Sequence, residues 1–209
     1  MSFTWRRVRK SLKAKRNPIE FACKKAEAVR RPIEQLESLA NQDYLDVFYY
    51  DESHFCLTPC VPYAWQIKGE TIEIPTARSK KINVAGFFSK KNQLIHYYSE
   101  ASINSEKLTE IFNDFALKTT KKTVVIMDNA PIHKSKIFMS NIEKWRVEND
   151  LFLLFLPTYS PELNLIEILW RKIKYEWLEF NAYLSFDRLK RNLKTILDNV
   201  GKKFNIQFV

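Results

Sequence analysis

Glycine is scarce in this chain: three residues in 209, at positions 69, 86 and 201. Dinucleotide fingerprints and phosphate-cradling loops need closely spaced glycines to let the backbone approach a phosphate. This sequence has no such cluster. Cysteine is as rare, with only Cys23, Cys56 and Cys60. An odd count gives no disulfide framework. The Cys56-Leu-Thr-Pro-Cys60 spacing is one that zinc sites use, but a structural zinc takes about four ligands and no second Cys/His pair stands nearby. The expectation is reduced, mostly buried thiols. Long apolar runs are also missing. None approaches the roughly 20 residues of a membrane span, and the N-terminus, basic from residue 6, lacks the apolar stretch of a secretion signal. A cytosolic protein with no membrane partner is expected.

What is present is the balance of a folded protein, 45% hydrophobic and 28% charged, long enough for one full domain plus a small appendage. The net charge of +10 is unevenly spread. Residues 1–40 hold eleven Lys/Arg against four Asp/Glu. Positive charge gathered in one arm favours a polyanion, of which nucleic acid is the commonest; the plainer alternative is a solvated basic tail. Within it, Trp5–Arg16 contains Arg6, Arg7, Arg9, Lys10, Lys13, Lys15 and Arg16 and no acid. Trp5, Val8 and Leu12 share one helical face, leaving the cations to face phosphate. Asn17-Pro18 interrupts this segment. A second helix is predicted from about Pro18 to Ala40, kinked or divided at Pro32.

From residue 43 onward the pattern alternates. Tyr44–Tyr50 reads as a buried strand ending at Asp51-Glu52-Ser53, Ile82–Phe88 and Leu94–Tyr98 as a hairpin, and Ile72–Ile74 as a short strand. Asn104–Leu117 has helical periodicity. Thr123–Met127 is a continuous apolar run suited to a central strand, followed by a helix from Pro131 to about Glu148. Leu151–Leu156 is another strand. Helices follow at about Pro161–Phe180 and Ser185–Val200, the last closed by Gly201. Early hairpins followed by βα units predict an α/β domain with a mixed sheet and helices on both faces.

Two of these strands end in an acid, Asp51 and Asp128, and strand ends open into the crevice where α/β sheets bind ligands. Glu167, on the helix after the last strand, could complete a cluster, with Glu162 near that helix's start. Clustered carboxylates hinder one another's ionisation, and Mg²⁺, which takes oxygen ligands, relieves the conflict. Two such ions can clamp the attacking and leaving oxygens of a phosphodiester. A lone Asp at a strand end is more often a turn residue, and spacing alone leaves the two alternatives balanced.

The surrounding motifs add more. Tyr50-Asp51-Glu52-Ser53, then Met127-Asp128-Asn129-Ala130-Pro131-Ile132-His133, then Leu156-Pro157-Thr158-Tyr159-Ser160-Pro161-Glu162-Leu163-Asn164-Leu165-Ile166-Glu167-Ile168-Leu169-Trp170 resemble the three blocks of the DDE transposases of bacterial insertion sequences, in the branch related to the mariner elements. Trp65-Gln66-Ile67-Lys68-Gly69 is similar to a further stretch of that family. The resemblance covers about residues 44–180. It implies a ribonuclease H-like five-stranded mixed sheet with a basic helical N-terminal arm. It also implies metal-dependent cleavage at transposon ends, with strand transfer into target DNA. Asp51, Asp128 and Glu167 become the catalytic carboxylates for two Mg²⁺ ions, with Mn²⁺ as substitute. Double-stranded DNA is the implied partner, bound by a homodimer. Leu165 stands where the family usually has proline and His54 where glycine is common, and the Asp128–Glu167 interval is slightly long; no carboxylate is lost.

Several residues have supporting roles to fill. Asn129 suits a phosphate, a metal-bound water or a helix cap. His133 suits orienting a carboxylate, touching phosphate, or packing. Trp170 suits packing that fixes Glu167, and Lys68 suits a DNA phosphate. Residues 1–42 are expected to be a basic arm, the remnant of a helix-turn-helix region too short to form a complete recognition unit, and residues 43–209 the catalytic domain. The rivals are a catalytically silent, truncated DNA-binding remnant and a stand-alone ribonuclease H-like nuclease.

Overall fold

In the computed structural model, residues 26–60, 68, 80–157 and 160–208 are described. The expected arm helix Trp5–Arg16, its seven basic residues and the short strand Ile72–Ile74 lie outside them. The described chain runs α1 (Ala26–Asn41), β1 (Asp46–Phe55), β2 (Ile82–Phe88), β3 (Leu94–Ser99), α2 (Ser105–Lys118), β4 (Thr123–Met127), α3 (Lys136–Met139), α4 (Ile142–Asn149), β5 (Leu151–Phe155), α5 (Ile166–Lys172) and α6 (Phe186–Asp198). Among these residues no helix is long and apolar enough to cross a membrane.

The five strands form one sheet in the order β3-β2-β1-β4-β5. β1, β2 and β3 pair antiparallel, and β1, β4 and β5 pair parallel. This is the mixed sheet expected from hairpins followed by βα units. Strand alternation sorts the apolar side chains into two cores. Val47, Tyr49, Val84, Val124 and Ile126 face α1, α5 and α6. Phe48, Tyr50, Phe87, Val125 and Met127 face α2, α3 and α4. On the second face Phe87 stacks on Phe115 at 3.7 Å between centroids, and Tyr50 lies 4.8 Å from both Phe87 and Phe112. Each such fully buried ring contributes about 1.5–3 kcal/mol through burial.

Several boundaries differ from the sequence-based expectation. α1 is continuous through Pro32 rather than divided there. β1 does not stop before Asp51; it continues to Phe55, because β2 pairs with it from Tyr49 to Phe55 while β4 leaves it at Tyr49. The helix expected over 131–148 is three pieces: a single 3-10 turn, Pro131–Lys134, then α3 and α4. Ser135 is extended and its hydroxyl accepts the Phe138 N–H, while Asn141 donates to the Ile137 carbonyl. Such side-chain bonds to backbone compete with a continuing helix. The helix expected over 161–180 is likewise a 3-10 turn (Pro161–Leu163), α5, a π-helical turn (Ile173–Trp177) and a second 3-10 turn (Phe180–Leu184). α6 ends at Asp198, two residues before Val200. Gly201 follows at φ 81°, where a side chain would collide with the Asn92 carbonyl oxygen.

Candidate functional site

The site forms where β1 outruns β4. Their last parallel pair is Tyr49 with Ile126, so Asp51 and Asp128 each lie two residues past the same rung, Asp51 within β1 where β4 has left it and Asp128 just beyond β4. On the same face as Asp51, α5 crosses the sheet and carries Glu167 in its first turn. Asp51 is half-buried; Asp128 and Glu167 are exposed. Asp51 and Glu167 line a cleft of about 630 Å³ with Glu52, Asn164, Trp170 and Lys174. Asp128 is not among the residues lining it and sits at its β4 side.

The acids sense one another. Burial pushes the Asp51 carboxyl well above the ordinary carboxylate range, and the charges of Glu167, Glu52 and Asp128 push it further. Burial also raises Glu167; nearby Lys174 opposes this, and Asp128 adds to it. Asp128 behaves oppositely, held low mainly by its hydrogen bond with His133.

His133 explains that difference. It is 1% exposed, with Nδ1 2.7 Å from Asp128 Oδ1 and Nε2 3.1 Å from Glu52 Oε1. Burial works against its charge, but the bonds to Asp128 and Glu52 outweigh it and raise the imidazole to about 10. Glu52 Oε1 also accepts the Tyr50 hydroxyl at 2.7 Å. Successive β1 residues thus serve opposite faces: Asp51 toward α5 and Glu167, Glu52 toward His133 and Tyr50. Asp128 Oδ1 also accepts the Ala130 N–H at 3.0 Å, so the turn-residue alternative holds for one of its oxygens without removing the other from the cluster.

Among the other expected residues, Asn129 donates its side-chain amide to the Leu156 carbonyl, tying the ends of β4 and β5. Trp170 is 3% exposed and packs against Gly86 and Phe55. Lys68 lies on an exposed turn. Cys56 and Cys60 are half-buried rather than buried; Cys56 donates to the Thr58 carbonyl, and Cys60 lines the cleft. Sequence reasoning assigned no role to Glu52 or Asn164. Glu52 was visible as the second acid of an Asp-Glu pair at a strand end, and its strand-face alternation was the available signal.

The donors suit a hard divalent cation, since all are carboxylate oxygens whose mutual repulsion a cation relieves. Among the described residues no three His, Cys, Asp or Glu side chains form a ready-made cage.

The family model described as DDE superfamily endonuclease matches residues 46–190, a span that includes all three carboxylates. An insertion element IS630 uncharacterized 39 kDa protein of Shigella sonnei is 29% identical over 133 residues, 61% of this chain and 37% of the relative. An uncharacterized protein of Sinorhizobium fredii, y4pE/y4sA, is 29% identical over 94 residues, 45% of this chain and 63% of the relative. The chain therefore spans less than two thirds of either relative's length. Among solved structures, the Mos1 strand transfer complex superposes with a TM-score of 0.60 at 15% identity, covering 97% of this chain and 62% of that one. The Mos1 mariner paired-end complex with Mn gives 0.57 at 16%, covering 95% and 60%. The fold is the ribonuclease H-like fold of transposases and integrases.

Proposed function

This chain belongs to the DDE superfamily endonuclease family, and we propose that it is the catalytic part of a transposase, cutting DNA at transposon ends and joining the freed ends to target DNA. In this assignment residues 43–209 are the catalytic domain, with α1 packed on its sheet, and the basic residues within 1–42 hold DNA without sequence preference. The observation that carries the proposal is that Asp51 and Glu167 line one cleft, while Asp128 lies two residues past the same β1–β4 rung as Asp51. Support also comes from the Mos1 neighbours, one bound to a left transposon end and one complexed with Mn.

Asp51, Asp128 and Glu167 would hold two Mg²⁺ or Mn²⁺ ions, which supply activation of the attacking oxygen and charge stabilisation of the leaving oxygen. The chain's own residues prepare the site. His133 keeps Asp128 ionised and fixes its Oδ1, leaving Oδ2 for ligation. Burial and neighbouring charge hold the Asp51 carboxyl above the ordinary range, so a bound cation would take the place of its proton. Lys174 and Arg171 line the cleft and would hold substrate phosphates by charge. A homodimer would align two transposon ends.

Strand-transfer assays with pre-cleaved transposon ends and Mg²⁺ or Mn²⁺ test this. Joined product that vanishes in Asp128→Asn supports it. DNA binding without joining by the parent would favour a silent remnant, and cleavage of RNA–DNA hybrids without joining would favour a stand-alone nuclease.

A further inference from the structure

Asn164 connects the two walls of the cleft. It sits between the Pro161–Leu163 turn and α5, 4% exposed. Its side-chain amide donates to the Tyr50 carbonyl at 3.0 Å, bridging 114 positions to the residue just before Asp51. Its own carbonyl accepts the Glu167 N–H at 3.1 Å, and its N–H donates to the Pro161 carbonyl at 3.0 Å. One residue is thus bonded to the neighbour of one cluster acid and to the backbone of another. A carbonyl only accepts, so the bond to Tyr50 fixes which end of the amide is nitrogen. Oδ1 is left buried, with no protein donor. The buried indole nitrogen of Trp170, which lines the same cleft, is also without a protein partner. Unsatisfied buried polar atoms are uncommon and call for an explanation such as a water or ion.

We infer that Asn164 is the positioning residue that sets the separation of Asp51 and Glu167, and that its Oδ1 accepts a hydrogen bond from a cation-bound water when the cleft is loaded. The second half rests on the functional reading above; the first does not. The side chain holds β1 immediately past its last pair with β4, where no strand partner on that side fixes Asp51. The main chain starts α5 at the same point. A shift of the Glu167 backbone away from Asp51 therefore works against one of two bonds in series, Glu167 N–H to the Asn164 carbonyl or the Asn164 amide to Tyr50. Groups that orient metal ligands in this way typically matter about ten- to a hundredfold for affinity.

The test uses Asn164→Leu, which keeps the branching and the number of heavy atoms and removes both polar atoms. Two quantities are measured on the full chain: Mn²⁺ binding by titration calorimetry, and amide hydrogen exchange of the metal-free protein. The expected result is about ten- to a hundredfold weaker Mn²⁺ binding, with faster exchange over residues 164–170 and unchanged exchange in α6. Leu189→Ala, a core truncation in α6, controls for simple loss of stability and should leave Mn²⁺ affinity unchanged. Parent-like binding by Asn164→Leu, or equal weakening by Leu189→Ala, would overturn the inference. If the parent itself binds no Mn²⁺, the functional reading falls, and the exchange arm still decides whether Asn164 fastens α5 to β1. Asn164→Ser carries the same test if the leucine variant fails to fold.

Discussion

Gly86 is the cross-strand partner of Asp51, and a methyl group added to it would sit 2.9 Å from the Trp170 ring. Ile166 is also close, its Cδ1 3.0 Å from that position. Both contacts belong to α5, so the bare backbone of β2 lets the helix bearing Glu167 settle against the sheet opposite Asp51. Gly86→Ala should lift α5, at a cost of about 1–3 kcal/mol for overpacking. Urea unfolding would measure that cost. Strand-transfer rate should fall more than stability explains, because Glu167 moves with the helix. An unchanged rate in a folded Gly86→Ala protein would show that Trp170 yields without moving α5.

The raised carboxyl of Asp51 makes a signed prediction for the metal-free protein. The folded state keeps this proton above the ordinary value of 3.8, where the unfolded chain has already released it. Asp51 therefore contributes a loss of stability as pH rises from about 3.8 through its folded value. Asp51→Asn should raise the metal-free thermal midpoint at neutral pH by about 2–4 °C per kcal/mol relieved, while abolishing joining activity. Mn²⁺ should stabilise the parent by mass action and the variant far less. Calorimetric scans at about pH 5 and 7.5, with and without Mn²⁺, check both statements.

His133 predicts the opposite pH dependence. Its folded value is raised to about 10, so its contribution is complete below 6.5 and fades as pH climbs through about 10. Asp128 is lowered, so its contribution is present above 3.8 and fades as pH falls through the depressed folded value. His133→Gln should cost about 1.5–3 kcal/mol, the range for hydrogen bonds to charged groups, and nearer the lower end because Asp128 is half-exposed. The difference from the parent, followed by urea unfolding, should be largest between about pH 4 and 6.5 and shrink toward about pH 10. A difference independent of pH would mean that the ring is neutral in the fold.

Asn92 closes the β2–β3 turn at φ 60°, and its side chain both donates to and accepts from the backbone of Ile206, at 3.0 and 2.7 Å. Asn92→Ala loses two bonds and places a side chain that disfavours this conformation there. A cost of about 1–3 kcal/mol is expected. Asn92→Gly retains the backbone freedom and separates the two contributions. Thermal unfolding of both variants reads the result.

Much of this is legible in the residues themselves. Thr123–Met127 and Ile82–Phe88 can be read to the residue, because continuous β-branched and aromatic runs bounded by polar turns have few other solutions. The helical period of Asn104–Leu117 announces α2, and the structure adds that the Asn104 side chain caps it by accepting the Lys107 N–H. The helices over 131–148 and 161–180 read as continuous and are not, because apolar spacing does not reveal a Ser or Asn side chain taking up a backbone bond. The three acids stand out in the sequence, but their environment does not. That His133 couples Asp128 to Glu52 depends on a contact across 81 positions, and the role of Asn164 on one across 114.

The adjacent acids of β1 are not interchangeable, although they differ by one methylene. The pleat sends one carboxylate to the helix carrying Glu167 and the other to the buried imidazole. Exchanging the two letters, Asp51→Glu together with Glu52→Asp, would preserve length, composition and net charge. It would lengthen the arm that must end beside Glu167 and shorten the one that must reach His133. By the same logic, a single residue inserted upstream within the strand would deliver each acid to the wrong side, so the spacing of this short word is constrained as tightly as its spelling.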